Sequence, residues 1–129
     1  RPELHAAPQA GVLIEDGHLL RRICCAGPYF ALERWQFERT QMLHFSSVRI
    51  LTNLGDPLTV EANGVNVTLD RAESLLLPAT LKQARIYGAG DVLIGYVPEL
   101  QREIVAPLRE AGYSEAEIAA LGDIDGRLR

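Results

Sequence analysis

The apolar positions of this chain fall into short runs rather than long stripes. From about Gly17 onward, stretches rich in Val, Ile, Leu and aromatic residues are broken by Gly, Pro, Asn or Asp at roughly eight- to twelve-residue intervals, the mark of a sandwich or barrel of short strands. The runs predict strands over 18–25, 29–38, 48–54, 58–62, 65–69, 74–77, 84–87 and 91–97. Val48, Ile50, Thr52 and Leu54 alternate with Arg49, Leu51 and Asn53, so one of those two faces should be core. Asn63-Gly64 between Leu58-Thr59-Val60-Glu61-Ala62 and Val65-Asn66-Val67-Thr68-Leu69 predicts a tight hairpin, because a type I′ turn needs positive φ at both central residues.

Eight strands of this kind suit an all-β, two-sheet jelly roll. After Val97 the period changes: Leu100, Ile104, Val105 and Leu108 recur at helical spacing, with Pro98 able to open the helix and Pro107 expected to break or kink it. Gly112 suits a helix C-terminus, and Ser114-Glu115-Ala116-Glu117 reads as a capping box for a second short helix. The expected organisation is a linker or tail over 1–16, a jelly-roll domain over 17–97, and a helical extension over 98–129 packed on it. The Pro- and Ala-rich opening residues carry no periodicity, which is the basis for reading them as a tail.

Composition narrows the function classes. A chain of 129 residues, 47% hydrophobic and 23% charged, can bury one ordinary core. The formal charge of −4 and the scattering of the arginines argue against nucleic acid as a partner. No apolar run approaches a bilayer span and no leader pattern opens the chain, so a cytoplasmic location without membrane contact is expected. Cys24 and Cys25 are adjacent, which strains a disulfide between them; they are read as two small strand residues facing opposite ways. The sequon Asn66-Val67-Thr68 is read as chance.

No complete catalytic or metal constellation is visible. His5, His18 and His44 are the only histidines, and neither a nucleophile with its base nor a set of convergent ligands can be assembled around them. His44, beside Phe45, is read as structural. Gly88-Ala89-Gly90 is too short for a phosphate cradle and reads as a turn. Arg34, Arg39, Arg49 and Arg85 could bind an anion if they converged, but exposed strand positions are the expectation for all four. Tyr29, Phe30, Trp35 and Phe37 either line a sugar-stacking cleft or anchor a core or interface, the latter being the expectation.

The hairpin Leu58 to Gly64, followed by Ala72-Glu73-Ser74-Leu75-Leu76-Leu77-Pro78-Ala79, resembles the cupin superfamily pattern of a strand hairpin and then a small residue, five residues and a proline. The positions where metal-binding cupins carry ligands resemble His44, Ser46 and Gln83 here, so only one expected ligand type is present. A narrower resemblance, to the C-terminal domain of type I mannose-6-phosphate isomerases, rests on Cys25-Ala26-Gly27-Pro28-Tyr29-Phe30-Ala31-Leu32-Glu33-Arg34-Trp35, on Glu73 to Ala79, and on Gly95-Tyr96-Val97-Pro98. It implies a cupin jelly roll with a helical tail, belonging to an isomerase that interconverts mannose 6-phosphate and fructose 6-phosphate. The zinc, its Gln, His, Glu and His ligands and the catalytic arginine of such an enzyme lie in a preceding cupin domain. On that reading this stretch has no catalytic, cofactor-binding or metal residues of its own, is inactive alone, and has the preceding domain as its partner. A free-standing metal-free cupin that binds a sugar or other small ligand, or that forms a homodimer, is the alternative.

Overall fold

The computed structural model describes residues 11–122. Its ten strands are β1 (Val12–Asp16), β2 (Leu19–Ala26), β3 (Ala31–Phe37), β4 (Gln41–His44), β5 (Arg49–Asn53), β6 (Leu58–Ala62), β7 (Val65–Leu69), β8 (Ser74–Leu77), β9 (Gln83–Tyr87) and β10 (Gly90–Tyr96). They form two antiparallel sheets, β1-β2-β3-β10-β5-β8 and β4-β9-β6-β7. The inward rows of both sheets meet in one apolar core that includes Ile23, Leu51, Val60, Ile86, Val92 and Ile94. This is the expected jelly roll.

All eight sequence-read strands are present, with ends displaced by a residue or two at most of the others but not at β6, β7 and β8. The Asn63-Gly64 turn has φ of 50° and 79°, with Ala62 opposite Val65. Two strands were not foreseen. The first, β1, occupies part of the presumed tail: Val12 is buried, and the Gly17-His18 turn folds β1 onto β2 with Asp16 opposite Leu19. The second, β4, is short, and its alternation is hidden because Met42, Leu43 and Phe45 crowd together in the sequence.

The helical extension packs on the wall of β1 and β2. A wide-turned π segment, Gln101–Val105, runs into α1 (Ala106–Glu110), and α2 (Glu115–Ala119) follows. Ile104, Val105, Leu108 and Ile118 are fully buried. The Tyr113 hydroxyl donates to the Leu13 carbonyl at 2.6 Å, and the Ala26 N–H donates to the Leu121 carbonyl at 3.1 Å, tying the extension to β1 and β2. Ser114 and Glu117 form the expected capping box. Helical structure starts at Leu100, two residues after Pro98.

Pro107 does not break the helix but distorts it locally, one of the two outcomes expected. The turn ahead of it widens, with Ala106 N–H donating to the Gln101 carbonyl five residues back. A proline cannot donate to the carbonyl four residues behind it. That carbonyl, on Glu103, instead accepts from Arg21 NH2 at 3.3 Å.

A β-bulge corrects the reading of the cysteines. Ile23 lies opposite Glu33 and Cys25 opposite Leu32, leaving Cys24 as the extra residue. Ile23 and Ala26 are both buried, so the two half-buried thiols between them fall on the same side, away from the core, rather than on opposite faces. Burial and the neighbouring Cys25 push the Cys24 thiol above its ordinary pKa.

The alternation of β5 resolves against its hydrophobicity. Arg49, Leu51 and Asn53 are buried, whereas Val48 and Ile50 are 38% and 46% exposed. Asn53 holds the two sheets together: its amide donates to the carbonyls of Asp56 (2.9 Å) and Leu69 (3.0 Å), and its oxygen accepts from Gly55 N–H (2.9 Å). Asn53→Ala would leave these buried groups without partners and should cost about 2–4 kcal/mol in urea unfolding, whereas an unchanged midpoint would refute its tying role.

Candidate functional site: a charged cavity in the barrel

Three strands of the larger sheet place charged side chains in positions of inward parity. On β3, Ala31, Glu33, Trp35 and Phe37 share the inner row; β2 contributes Arg21 between Leu19 and Ile23, and β5 contributes Arg49. With Tyr96 of β10 and Glu103 of the π segment they line a cavity of about 270 Å³ that Leu43, His44 and Arg102 help to close.

Glu33 is the centre of this group, with 2% of its surface exposed. Arg21 grips it with two bonds, Nε to Oε1 at 2.5 Å and NH2 to Oε2 at 2.9 Å. Trp35 Nε1–H donates to Oε1 at 2.9 Å, and the Tyr96 hydroxyl donates to Oε2. Four donors occupy the four lone-pair directions of one carboxylate. Burial by itself would raise the Glu33 pKa, but the Arg21 guanidinium and the Trp35 and Tyr96 donors outweigh it and hold the carboxyl below its ordinary range. Burial and then the adjacent Glu33 charge push the Tyr96 phenol far above its usual value. Glu33 is therefore an anion at neutral pH, with every lone-pair direction already engaged by the protein. Its role is to anchor.

A second pair lies nearer the mouth. Arg49 NH2 meets Glu103 Oε2 at 2.7 Å, and its NH1 donates to Ser47 Oγ at 2.7 Å. The guanidinium stacks 3.8 Å from the centroid of Tyr96 and 5.8 Å from that of Phe45. Glu103 Oε1 accepts the Glu99 N–H at 2.7 Å, which fixes the start of the helical segment. At the rim, the exposed Arg102 donates to Ser46 Oγ at 3.3 Å, and His44 is exposed beside it. Arg21, Arg49 and Arg102 face Glu33 and Glu103, so the cavity carries one net positive charge before His44 is considered.

The residues singled out from the sequence are only partly brought together. Arg49 is buried in the cavity, not on an exposed strand position, because its positive charge is matched by Glu103 from a segment 54 positions away. Arg34 pairs with Asp91 outside the cavity, and Arg85 lies near Glu61 and Tyr87. Arg39 is exposed at the β3–β4 turn. Trp35 lines the cavity and Phe37 belongs to the core, while Tyr29 and Phe30 are 81% and 49% exposed. Gly88-Ala89-Gly90 forms the β9–β10 turn, where Gly88 N–H donates to Thr40 Oγ1. His5 lies outside the described residues, and His18 sits in the β1–β2 turn.

His44 and Gln83 are direct partners across β4 and β9, both exposed, and Ser46 Oγ is engaged by Arg102. No group of three His, Cys, Asp or Glu side chains able to hold a metal occurs among the described residues. The side chains around His44 are Ser46, Gln83, the cationic Lys82 and Arg102, and Glu103, whose carboxylate is already held by Arg49; this mainly cationic set repels a divalent cation and does not fit a zinc site. No helix among the described residues is long and apolar enough to cross a membrane.

Similarity to known proteins is confined to structure. No family model matches the chain and no curated protein does. Among solved structures, an RmlC-like cupin from Shewanella frigidimarina superposes with a TM-score of 0.60 at 14% identity, covering 72% of this chain and 86% of that one. The chain has a cupin fold. KdgF from Halomonas sp. matches at TM-score 0.60 and 13% identity, over 70% of this chain and 90% of KdgF. Mannose 6-phosphate isomerase from Bacillus subtilis matches at TM-score 0.58 and 13% identity, over 66% of this chain but 27% of the isomerase.

The Glu33 network makes two pH effects measurable. A carboxyl whose folded pKa is depressed contributes its stability above the unfolded value and loses it as pH falls. The wild-type protein should lose stability below about pH 4.5, the group's ordinary value, and Glu33→Gln should be less stable by about 3 kcal/mol at neutral pH with a flatter acid profile. For Tyr96 the sign reverses: a raised phenol pKa contributes stability below its ordinary value of 10.0 and loses it above. Tyr96→Phe should cost about 1.5–3 kcal/mol near pH 7, with the deficit shrinking above pH 10; a deficit independent of pH would contradict the network.

Proposed function

We propose that this cupin binds a small anionic molecule, of the size and polarity of a sugar phosphate or sugar acid, in its barrel cavity and without a metal ion. The observation that carries this reading is the net positive charge of the cavity, with Arg102 and His44 at its mouth and Arg49 behind them. Guanidinium groups form paired bonds to phosphate or carboxylate, and Trp35 offers an apolar wall to a sugar-like ring. The cupin neighbours include Streptomyces Pac13, a nucleoside dehydratase solved with uridine, so the same fold elsewhere accommodates a small polar ligand. Because Glu33 is saturated, any proton transfer in this cavity would fall to His44 or Glu103.

Calorimetric titration with mannose 6-phosphate, a uronic acid and their uncharged parent sugars tests the proposal. The charged compounds should bind and the parent sugars should bind at least tenfold more weakly; Arg102→Gln should weaken charged-ligand binding about tenfold without lowering thermal stability. Equal affinity for charged and uncharged sugars, or no binding by any, would count against it.

A second reading is that the chain is the C-terminal cupin domain of a mannose-6-phosphate isomerase, with zinc and the reacting groups in a preceding domain. It is supported by the motifs Glu73 to Ala79 and Gly95 to Pro98 and by the shared fold with part of the Bacillus subtilis isomerase. The gene sequence decides it. At least about 200 residues of upstream cupin sequence containing a Gln-x-His pair, a size within the usual range of one domain, would be required.

A further inference from the structure

The outer face of the larger sheet is chemically unlike an ordinary solvent-facing surface. An exposed sheet face alternates polar residues outward. Here Ile50 of β5 lies opposite Leu76 of β8 on one side and Gly95 of β10 on the other, and Ile50 and Leu76 are 46% and 59% exposed. Val48 and Val97 continue the patch beyond the strand ends. The β2–β3 turn then brings Phe30 over Gly95: a Cβ built on that glycine would come within 3.2 Å of the ring edge, so a side chain there would push the aromatic away by a few tenths of an ångström. Tyr29 stands beside it, 81% exposed.

We infer that this face is the contact between two copies of the chain. Its six large exposed residues, Tyr29, Phe30, Val48, Ile50, Leu76 and Val97, present on the order of 600 Å² of surface, against roughly 800 Å² per partner in a standard-size interface, and the intervening Leu32, Thr52 and Ser74 close part of the gap. At that size the patch stands at the upper end of the largest apolar patches on monomers, roughly 300–600 Å², which often serve as contact surfaces.

Charge supports a second copy in particular. The outward positions Leu93, Gly95, Ile50, Thr52, Ser74 and Leu76 carry none; at the border Arg34 is paired with Asp91 of its own chain at 2.6 Å, and Arg22 stands opposite Arg34 one strand further out. Two such faces can approach about a two-fold axis through the uncharged β5–β8–β10 centre, which keeps Arg22 at the rim, although the chain as a whole carries −4. Charge depletion at the centre of the patch is the composition of an interface core. The free edge of β8 lies at the margin of the face, and its burial there would also protect an unpaired strand.

The cavity lies on the inner side of the same sheet, so association and ligand binding are separable. Sedimentation velocity from about 1 to 100 μM should show a dimer for the wild-type chain, and the double variant Ile50→Glu with Leu76→Glu should raise the dissociation constant at least about a hundredfold. Circular dichroism and anionic-ligand titration of that variant report whether the barrel itself is intact. Should the two glutamates unfold it, Tyr29→Ser with Val97→Ser, both outside the strands, provides the second variant. A wild-type monomer throughout that range overturns the inference, as does a dimer that folded variants leave undiminished. Neither result bears on the charge of the cavity.

Discussion

A buried carboxylate is tolerable only when its hydration is replaced in full, and the interior of this barrel is arranged around that requirement at Glu33. Arg21 from β2, Trp35 from β3 itself and Tyr96 from β10 supply the donors, so the arrangement fixes the register of three adjacent strands. The same Arg21 then caps the carbonyl left free by Pro107, which joins the strand network to the helical extension. Removing one member leaves the others charged or unpartnered in a medium that solvates them poorly, so the group behaves as a unit. Stability is only part of its effect. By saturating Glu33 internally, the network leaves the outer arginines to define what the cavity attracts.

Much of the architecture was legible from the chain. Strands β6 and β7 were legible from alternation plus one turn whose positive φ at both central residues Asn-Gly accepts readily, and β5 from alternation alone. The short β4 was hidden by consecutive apolar residues, and β1 by its place behind a Pro-rich opening. At Pro107 the sequence left break and distortion both open, and distortion resulted: a proline forbids one hydrogen bond, not a helix, and a guanidinium from elsewhere in the fold took the orphaned acceptor.

The site was harder to read because it depends on pairing across long sequence separations. Glu33 and Arg21 are 12 residues apart, Arg49 and Glu103 are 54 apart, and nothing local announces either pair. A signal did exist in the parity of the strands. Leu19-x-Arg21-x-Ile23, Ala31-x-Glu33-x-Trp35 and Arg49-x-Leu51 each set a charge in an otherwise apolar row, and charges of opposite sign on neighbouring inward rows point to a buried pair. On β5 that signal was masked, since Val48 and Ile50 make the outward row look like the core row. The masking and the unusual outer face have the same origin: at β5 the outward row, Val48 and Ile50, is more apolar than the inward row, Arg49, Leu51 and Asn53.

The bulge at Cys24 shows how the wall of the barrel could change in evolution. Ile23 and Cys25 already occupy successive ladder positions opposite Glu33 and Leu32, so Cys24 belongs to neither. Loss of that one codon would leave a regular ladder in which Ile23 and Ala26 keep their inward directions. Elsewhere in a strand a single-residue deletion inverts every side chain beyond it. The bulge is thus a reserve of chain length, a place where the protein could shorten by one residue while its interior kept the same inhabitants.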